Sequence, residues 1–205
     1  MNPSELKNWF DSIRETLETS YLAADEPWKQ SGFSGPYDRW EALRRPIADC
    51  VESEGSFLDI GCANGYLLEC LLKWTGDRGI SFDPWGLDIS EKLADLAKGR
   101  LPLYASQILT GNSFYWKPPV RFDYVRTELC YVPDELRQQY VDHIIQDYLN
   151  SGGKLLAAEY RSRSDPSSGP WVDDILRNFG YLIESCESGY WDGMELTRIA
   201  VVIKL

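Results

Sequence analysis

A short run of small residues is the part of this chain whose residue types and spacing most directly suggest chemistry. Positions 61–65 read Gly-Cys-Ala-Asn-Gly and follow an apolar, strand-prone run at 57–60 that contains one acid, Asp59. Leucines at helical spacing come next. Glycine lets the backbone approach a ligand closely, and the first amides of a helix bind polar groups. The pattern predicts a strand-to-helix turn that cradles a nucleotide-like ligand.

Two classes of cofactor use such a turn, and its details separate them. A dinucleotide site has the pattern G-x-G-x-x-G, in which backbone amides hold a pyrophosphate. Positions 61–65 have the pattern G-x-A-x-G instead. Asp59 would also lie beside the pyrophosphate, where two like charges are unfavourable. The turn therefore suits a ligand that carries positive charge.

Residues 59–65 resemble the first motif of the class I S-adenosylmethionine-dependent methyltransferases, written D/E-x-G-x-G-x-G, with Ala63 at the middle glycine. In that family the acid supports the loop and the ammonium end of the cofactor's methionine. The resemblance therefore implies S-adenosylmethionine as the cofactor and assigns this work to Asp59 and Gly61. It also assigns the rest of the loop to cofactor contacts: Cys62, Ala63 and Gly65.

Residues 86–90 resemble the second strand of the same family, whose terminal acid holds the two ribose hydroxyls. A carboxylate can accept two hydrogen bonds from a diol, which suits Asp88, with Ile89 beside it, to this role. Dehydrogenases that bind NAD also have an acid near this spacing. Asp88 alone therefore does not separate the two cofactors, whereas the glycine pattern does.

Two further segments resemble the family's motifs. Residues 110–114 resemble the loop after the third strand, where Asn112 and the adjoining Ser113 would bind the adenine edge. Residues 122–134 resemble the fourth strand and the loop that ends over the reactive methyl group. The resemblance also places Glu128, at the end of that strand, in the cofactor site.

The reaction that the resemblance implies requires few catalytic side chains. A sulfonium methyl group is already activated, so in-line displacement needs mainly an aligned acceptor, and a general base is optional. Glu128 and Tyr131 are the candidate catalytic residues, with Glu159 a further possibility. The alternatives are that Glu128 braces the loop or lines the cofactor and that Tyr131 is an aromatic wall. His143, the one histidine, falls in mid-helix, and we interpret it as structural.

The rest of the chain predicts the elements that must position these residues. Alternating strand and helix patterns predict an α/β fold with a doubly wound, seven-stranded, mostly parallel sheet and a terminal antiparallel hairpin. We predict a single domain, with a helical cap or lid at 1–55 and a Rossmann-like core at 56–205. The later predicted elements are a helix at 133–149, the fifth strand at 154–160, a loop at 162–170, a helix at 171–179, and hairpin strands at 181–188 and 195–203.

Residues 26–40, between two helical patterns of the cap, are rich in turn-forming and aromatic residues. In methyltransferases of this class the segment before the first strand is often a lid over the cofactor and the acceptor. The resemblance therefore places part of the acceptor pocket here. The alternative is a loop whose aromatic residues pack on the core. The substrate and lid candidates are Trp28, Ser31, Tyr37, Arg39 and, at the end of the fifth strand, Tyr160.

Composition narrows the classes of function. The 205 residues carry 32 acids and 21 bases, a net charge of -11, without a basic stripe, so we predict no nucleic-acid partner. No apolar run approaches the roughly 20 residues of a membrane span, and the amino terminus does not resemble a signal peptide. Five cysteines without a C-x-x-C pair predict free thiols in a cytoplasmic protein, and we predict no metal site.

The leading hypothesis is S-adenosylmethionine-dependent methyl transfer to a small-molecule acceptor, catalysed mainly by positioning. Three alternatives stay open: a cofactor-binding module without transfer activity, a protein side-chain methyltransferase and an NAD-dependent oxidoreductase. The sequence leaves open the acceptor atom, whether N, O, C or S, and the oligomeric state.

Overall fold

The fold is built around one sheet. A computed structural model describes residues 1–164 and 169–205, so part of the loop predicted at 162–170 lies outside the described residues. The strands are β1 (Gly55–Ile60), β2 (Phe82–Asp88), β3 (Ile108–Thr110), β4 (Phe122–Glu128), β5 (Leu149–Tyr160), β6 (Ser185–Trp191) and β7 (Met194–Ile203). Among the described residues they form a seven-stranded sheet in the order β3-β2-β1-β4-β5-β7-β6.

The pairing of the strands confirms the predicted fold class. The pairs among β1 to β5 are all parallel, whereas β7 is antiparallel to both β5 and β6. The helices that flank the sheet are α1 (Pro3–Tyr21), α2 (Tyr37–Arg44), α3 (Pro46–Asp49), α4 (Tyr66–Gly76), α5 (Glu91–Arg100), α6 (Arg137–His143) and α7 (Val172–Asn178). The chain is a mostly parallel α/β sheet that ends in an antiparallel hairpin.

The sheet is buried on both faces, as parallel strands with helices on each side must be. Phe57 of β1 packs into a hydrophobic layer with residues of α2, α3, α4 and α5. Its neighbour Leu58 points to the opposite layer, which contains residues of α1, α6 and α7. Both side chains are fully buried. Successive side chains of one strand thus point to opposite faces of the sheet and contribute to both layers of the core.

The segment predicted as a cap at 1–55 is divided between these two layers. In α1, Leu6 and Phe10 are buried in the layer that contains α6 and α7. In α2, Trp40 is buried in the other layer. A capping box between Asn2 and Glu5 defines where α1 begins. The helical content of the segment agrees with the prediction, but its helices belong to both faces of the core.

Several predicted boundaries were wrong. The helix predicted at 133–149 is a 3₁₀ turn (Asp134–Leu136), then α6, then a π turn (Ile144–Tyr148). Strand β5 begins at Leu149, because Leu149 pairs with Phe122 of β4 and the Asn150 amide donates to Asp123 Oδ1 at 2.8 Å. These partners are distant in sequence, so local periodicity does not encode them. The first hairpin strand, β6, also begins and ends later than predicted.

Candidate active site

A cleft lies at the carboxyl ends of β1, β2, β3 and β4, where ligands bind in open α/β sheets. It consists of two adjoining cavities. The larger, about 350 Å³, has Asp59, Cys62, Ala63 and Glu128 in its wall. The smaller, about 60 Å³, is lined by the predicted residues at the ends of β2 and β3, namely Asp88, Ile89, Asn112 and Ser113.

Four residues line both cavities and separate them. Gly61 forms the floor, and Ile13 and Leu17 of α1 with Tyr131 form the other walls. A Cβ atom at position 61 would lie 2.5 Å from the Tyr131 hydroxyl oxygen, so only glycine fits under this ring. Gly61 also has a φ of 72°, in the left-handed region that glycine adopts readily. Tyr131 therefore lies directly over the turn and divides the cleft.

The turn is closed from the side by α5. Gly65, which precedes α4, has a φ of 75°, and a Cβ atom there would lie 2.9 Å from the Cβ of Ala97. Asn64 connects the turn to the predicted lid, because its Nδ2 donates to the Pro27 carbonyl at 3.0 Å and to Gln30 Oε1 at 2.9 Å. The glycine spacing thus serves close packing as well as ligand access.

Asp88 is held by the backbone on both sides. Its Oδ2 accepts from the Ala63 N–H at 2.8 Å, and its Oδ1 accepts from the Ser90 N–H at 2.8 Å. Burial raises the pKa of Asp88 to about 6, and the two N–H groups oppose this shift. Each carboxylate oxygen has a second lone pair. The group can therefore still accept hydrogen bonds from a diol in the smaller cavity.

Asn112 and Ser113 are fixed by local and long-range bonds. Asn112 Oδ1 accepts from the Phe114 N–H at 3.0 Å. The Ser113 hydroxyl is 3.0 Å from the Tyr140 hydroxyl, and the Ser113 carbonyl accepts from Tyr148 at 2.7 Å. The amide NH₂ of Asn112 has no hydrogen-bond partner among the described side chains of this turn. It remains a donor for a ligand.

Arg126 of β4 is a site residue that the sequence reasoning missed. Its Nη1 lies 3.2 Å from Asp59 Oδ1, and the two side chains are 4% and 1% exposed. It also donates to the hydroxyls of Tyr131 at 3.0 Å and Tyr160 at 3.3 Å and to the Glu128 carboxylate. A signal was present, since an arginine in a strand buried on both faces must be paired.

The Arg126 network affects the pKa values and hydrogen bonds of two predicted residues. Burial raises the pKa of Asp59 to about 6, and Arg126 opposes the shift, so this acid is balanced inside the protein. Burial also raises the pKa of Tyr131, and its hydroxyl donates to Glu128 Oε1 at 2.9 Å. Tyr131 is thus a hydrogen-bond donor near neutral pH, and Glu128 is an acceptor.

No family model matches this chain, and no curated protein matches it significantly. Solved structures do match. A TehB-like S-adenosylmethionine-dependent methyltransferase from Corynebacterium glutamicum is 18% identical, with all of both chains covered and a TM-score of 0.58. The magnesium protoporphyrin IX methyltransferase of Synechocystis, with bound S-adenosylmethionine, is 16% identical, with 96% of this chain and 97% of that chain covered and a TM-score of 0.62.

A third structural neighbour is the N-methyltransferase NodS of Bradyrhizobium japonicum in complex with S-adenosylhomocysteine. It is 17% identical, with 93% of this chain and 97% of that chain covered and a TM-score of 0.63. This chain has the class I methyltransferase fold. The matches span nearly the whole length of each chain, so the likeness includes the antiparallel hairpin as well as the parallel strands.

On this class I fold, the predicted lid residues fall into three groups. Ser31 and Tyr160 line the larger cavity. Trp28 and Tyr37 pack against the core instead, with ring centroids 5.6 Å apart and the Trp28 indole donating to the Gly35 carbonyl. Arg39 lies 4.9 Å from the centroid of the Phe33 ring and lines a neighbouring cavity. The alternative of core packing thus describes two of the aromatic residues.

The remaining candidates lie outside the cleft. Glu159 accepts from Arg161 Nε at 2.7 Å and lines a separate cavity, which shares Glu128 with the cleft. His143 ends α6, where its Nδ1 lies 2.8 Å from Asp147 Oδ2, and this contact agrees with a structural role. Across residues 1–164 and 169–205, no cluster of metal-binding side chains occurs and no helix is long and apolar enough to span a membrane. All five cysteines are free.

Proposed function

We propose that this protein binds S-adenosylmethionine and transfers its methyl group to a small-molecule acceptor. The observation that carries the proposal is the cleft itself. A glycine turn with left-handed Gly61, a buried acid at the end of β2 and an amide at the end of β3 meet around one pair of cavities. Each of these groups suits a different part of one adenosyl ligand.

The smaller cavity fits the adenosine part. Asp88 offers free lone pairs to the ribose hydroxyls, and Asn112 offers an amide to the adenine edge. Phe10, Leu87 and Ile89 supply apolar walls for the base. Because α1 and Tyr131 narrow this cavity to about 60 Å³, we infer that they shift when the cofactor enters.

The larger cavity fits the methionine part and the acceptor. Arg126 pairs with both Asp59 and Glu128, so these three side chains together carry one net negative charge, and Arg44 lines the same cavity. The net negative charge of those three favours a cationic ligand group beside the turn. When bound, S-adenosylmethionine supplies an activated methyl group for in-line displacement. The task of the protein is then to align the acceptor and exclude water.

Glu128 and Tyr131 remain the candidates for handling a proton of the acceptor. Glu128 accepts hydrogen bonds from Arg126 and Tyr131, so it is positioned as an acceptor at the end of β4. Tyr131 is protonated near neutral pH and orients that carboxylate. We propose that Glu128 accepts the proton where the acceptor loses one, and that positioning alone suffices where it does not.

Calorimetric titration with S-adenosylmethionine, S-adenosylhomocysteine and NAD tests the cofactor assignment. We expect both adenosyl compounds to bind and NAD not to bind. A preference for NAD, or no binding of any of the three, would overturn the proposal.

Incubation with methyl-labelled S-adenosylmethionine and a cell extract tests the transfer. We expect label to appear in low-mass compounds other than the cofactor. Label in protein would favour a protein side-chain methyltransferase, and label that stays on the cofactor would favour a binding module without transfer activity.

A further inference from the structure

The neighbouring cavity that Arg39 lines, called the third cavity below, has a volume of about 470 Å³ and adjoins the larger cavity of the cleft. Gly32, Arg44 and Tyr160 line both, so the two cavities are adjacent and share part of their wall. The described wall of the third cavity contains no acid and has four arginines: Arg39, Arg44, Arg161 and Arg163. The chain as a whole has a net charge of -11, so this local excess of positive charge is the reverse of its average surface.

Two of the four arginines are accounted for by partners in the protein. Arg161 Nε lies 2.7 Å from Glu159 Oε1, and Arg163 Nη2 lies 3.0 Å from Asp192 Oδ2. Arg39 and Arg44, which lie five positions apart on α2, form no salt bridge with any residue of the described chain. Nη1 of Arg44 is buried without a hydrogen-bond partner among those residues.

Aromatic rings orient the two unpaired guanidinium groups. Arg44 lies 3.4 Å from the centroid of the Tyr160 ring, and Arg39 lies 4.9 Å from the centroid of the Phe33 ring. Contact with a ring occupies the face of a guanidinium group and leaves the N–H donors at its edge available. Those donors match the two oxygens of a carboxylate or a phosphate. A buried N–H without a partner is unfavourable, and an anionic ligand would remove that cost.

We propose that the methyl acceptor carries a carboxylate or phosphate group, which Arg39 and Arg44 bind in the third cavity. The rest of the acceptor then extends past Tyr160 into the larger cavity, where its nucleophilic atom meets the methyl group. The anionic group does not receive the methyl group, so the product keeps the negative charge of that group. This inference rests on the proposed methyl transfer and adds the chemical class of the acceptor.

The test begins with methyl-labelled S-adenosylmethionine, the protein of residues 1–205 and a whole cell extract that contains both low-mass compounds and macromolecules. The labelled products are separated on an anion exchanger after removal of the cofactor. Label retained by the exchanger is the expected result. Label in neutral or cationic low-mass compounds would overturn the inference and leave the transfer intact. Label in macromolecules, or no transfer at all, would overturn the proposed function and the inference together.

Alkaline phosphatase then separates the two sources of charge. Label that phosphatase releases from the exchanger identifies a phosphate monoester, and label that stays retained indicates a carboxylate or a phosphodiester. Either result supports the inference, because the same two arginines suit both groups.

Variants connect the result to the cavity. In Arg39→Gln and Arg44→Gln, the extract concentration that gives half-maximal transfer should rise about tenfold or more, the loss of one charge-assisted hydrogen bond. Affinity for S-adenosylhomocysteine should not change in Arg39→Gln, which lies outside the larger cavity, and urea unfolding shows that both variants are folded. Arg45→Gln is the matched control, since Arg45 lies next to Arg44 but pairs with Glu41 at 3.3 Å. Equal transfer by all three variants and the unmodified protein would overturn the inference.

Discussion

Asp88 supports the turn and is predicted to bind the cofactor with the same carboxylate. Replacing it by alanine removes the proposed ribose contact and leaves the N–H groups of Ala63 and Ser90 without partners. We expect affinity for S-adenosylhomocysteine to fall by about 1.5 to 3 kcal/mol and the free energy of unfolding to fall by about 1 to 3 kcal/mol. Calorimetry and urea unfolding measure the two effects. Unchanged affinity would show that no ribose binds at β2.

The raised pKa of Asp88 predicts a pH dependence. Its folded value of about 6 exceeds its ordinary value of 3.8, so the folded protein binds more protons between these values. Asp88 therefore lowers the free energy of unfolding as pH rises through this window. Ligand binding has the opposite trend, because ribose hydroxyls donate to the ionised group. The affinity for S-adenosylhomocysteine, measured by calorimetry, should be constant above pH 7 and should fall as the pH is lowered through about 6.

The control for this pH profile is the Asp88→Asn variant, because an asparagine side chain does not ionise. It should bind more weakly at every pH and lose the step near 6. Persistence of the step in this variant would assign it to Asp59, whose pKa is also raised to about 6 by burial.

Arg126 compensates the charge of Asp59 inside the protein, so its loss should be severe. We expect Arg126→Met to lower the free energy of unfolding by about 3 to 5 kcal/mol, because Asp59 is left as a buried charge without its partner. Adding Asp59→Asn should restore part of that loss. Urea unfolding of the two single variants and the double variant measures the coupling. Additive effects would contradict a direct interaction between the two side chains.

At the scale of elements, α1 covers the cleft and is attached near Asp88. Glu18 accepts from the Ser90 hydroxyl at 2.8 Å and from Lys92 Nζ at 2.7 Å, and Ile13 and Leu17 of the same helix line both cavities. Leu6 and Phe10 anchor the first part of α1 in the core, whereas the last turns, over the cleft, are attached through Glu18. We infer that α1 is the element that admits the cofactor.

Replacing Glu18 by alanine should weaken this attachment. We expect faster hydrogen exchange of the amides in α1 and faster dissociation of S-adenosylhomocysteine, measured by mass spectrometry and stopped-flow fluorescence. Glu15→Ala is the matched control, since Glu15 lies on the exposed side of the same helix and its side chain has no described partner. Identical exchange in the two variants would contradict a holding role for Glu18.

At the scale of the whole molecule, the net charge predicts that the protein does not bind nucleic acid. With -11 on 205 residues, the surface repels a polyanion, and the Arg39 and Arg44 cavity is too local to track a phosphate backbone. We expect no binding to duplex DNA or RNA at physiological salt, as measured by fluorescence anisotropy. Affinity tighter than about 10⁻⁴ M, the weak end of non-specific binding, would contradict this expectation.

The parts of the fold that were predicted correctly from the sequence are those encoded by neighbouring residues. The strand-to-helix turn depends on glycines that adopt left-handed φ values, and a glycine pattern reports that directly. The fold class follows from alternating short patterns in the same way. By contrast, the start of β5 at Leu149 depends on pairing with Phe122, and the position of Trp28 depends on its packing against Tyr37 and the core.

The sequence alone determined which residue types stand at each strand end, since these lie within a few positions of a turn or a strand. Only the tertiary structure decided which of them meet. Asp59 and Arg126 are 67 positions apart and become partners because β1 and β4 are adjacent in the sheet. Tyr131 over Gly61, α1 over the cleft and Arg44 beside Tyr160 depend on the same long-range order. Sheet order is set by the global burial of apolar surface, which no local pattern contains.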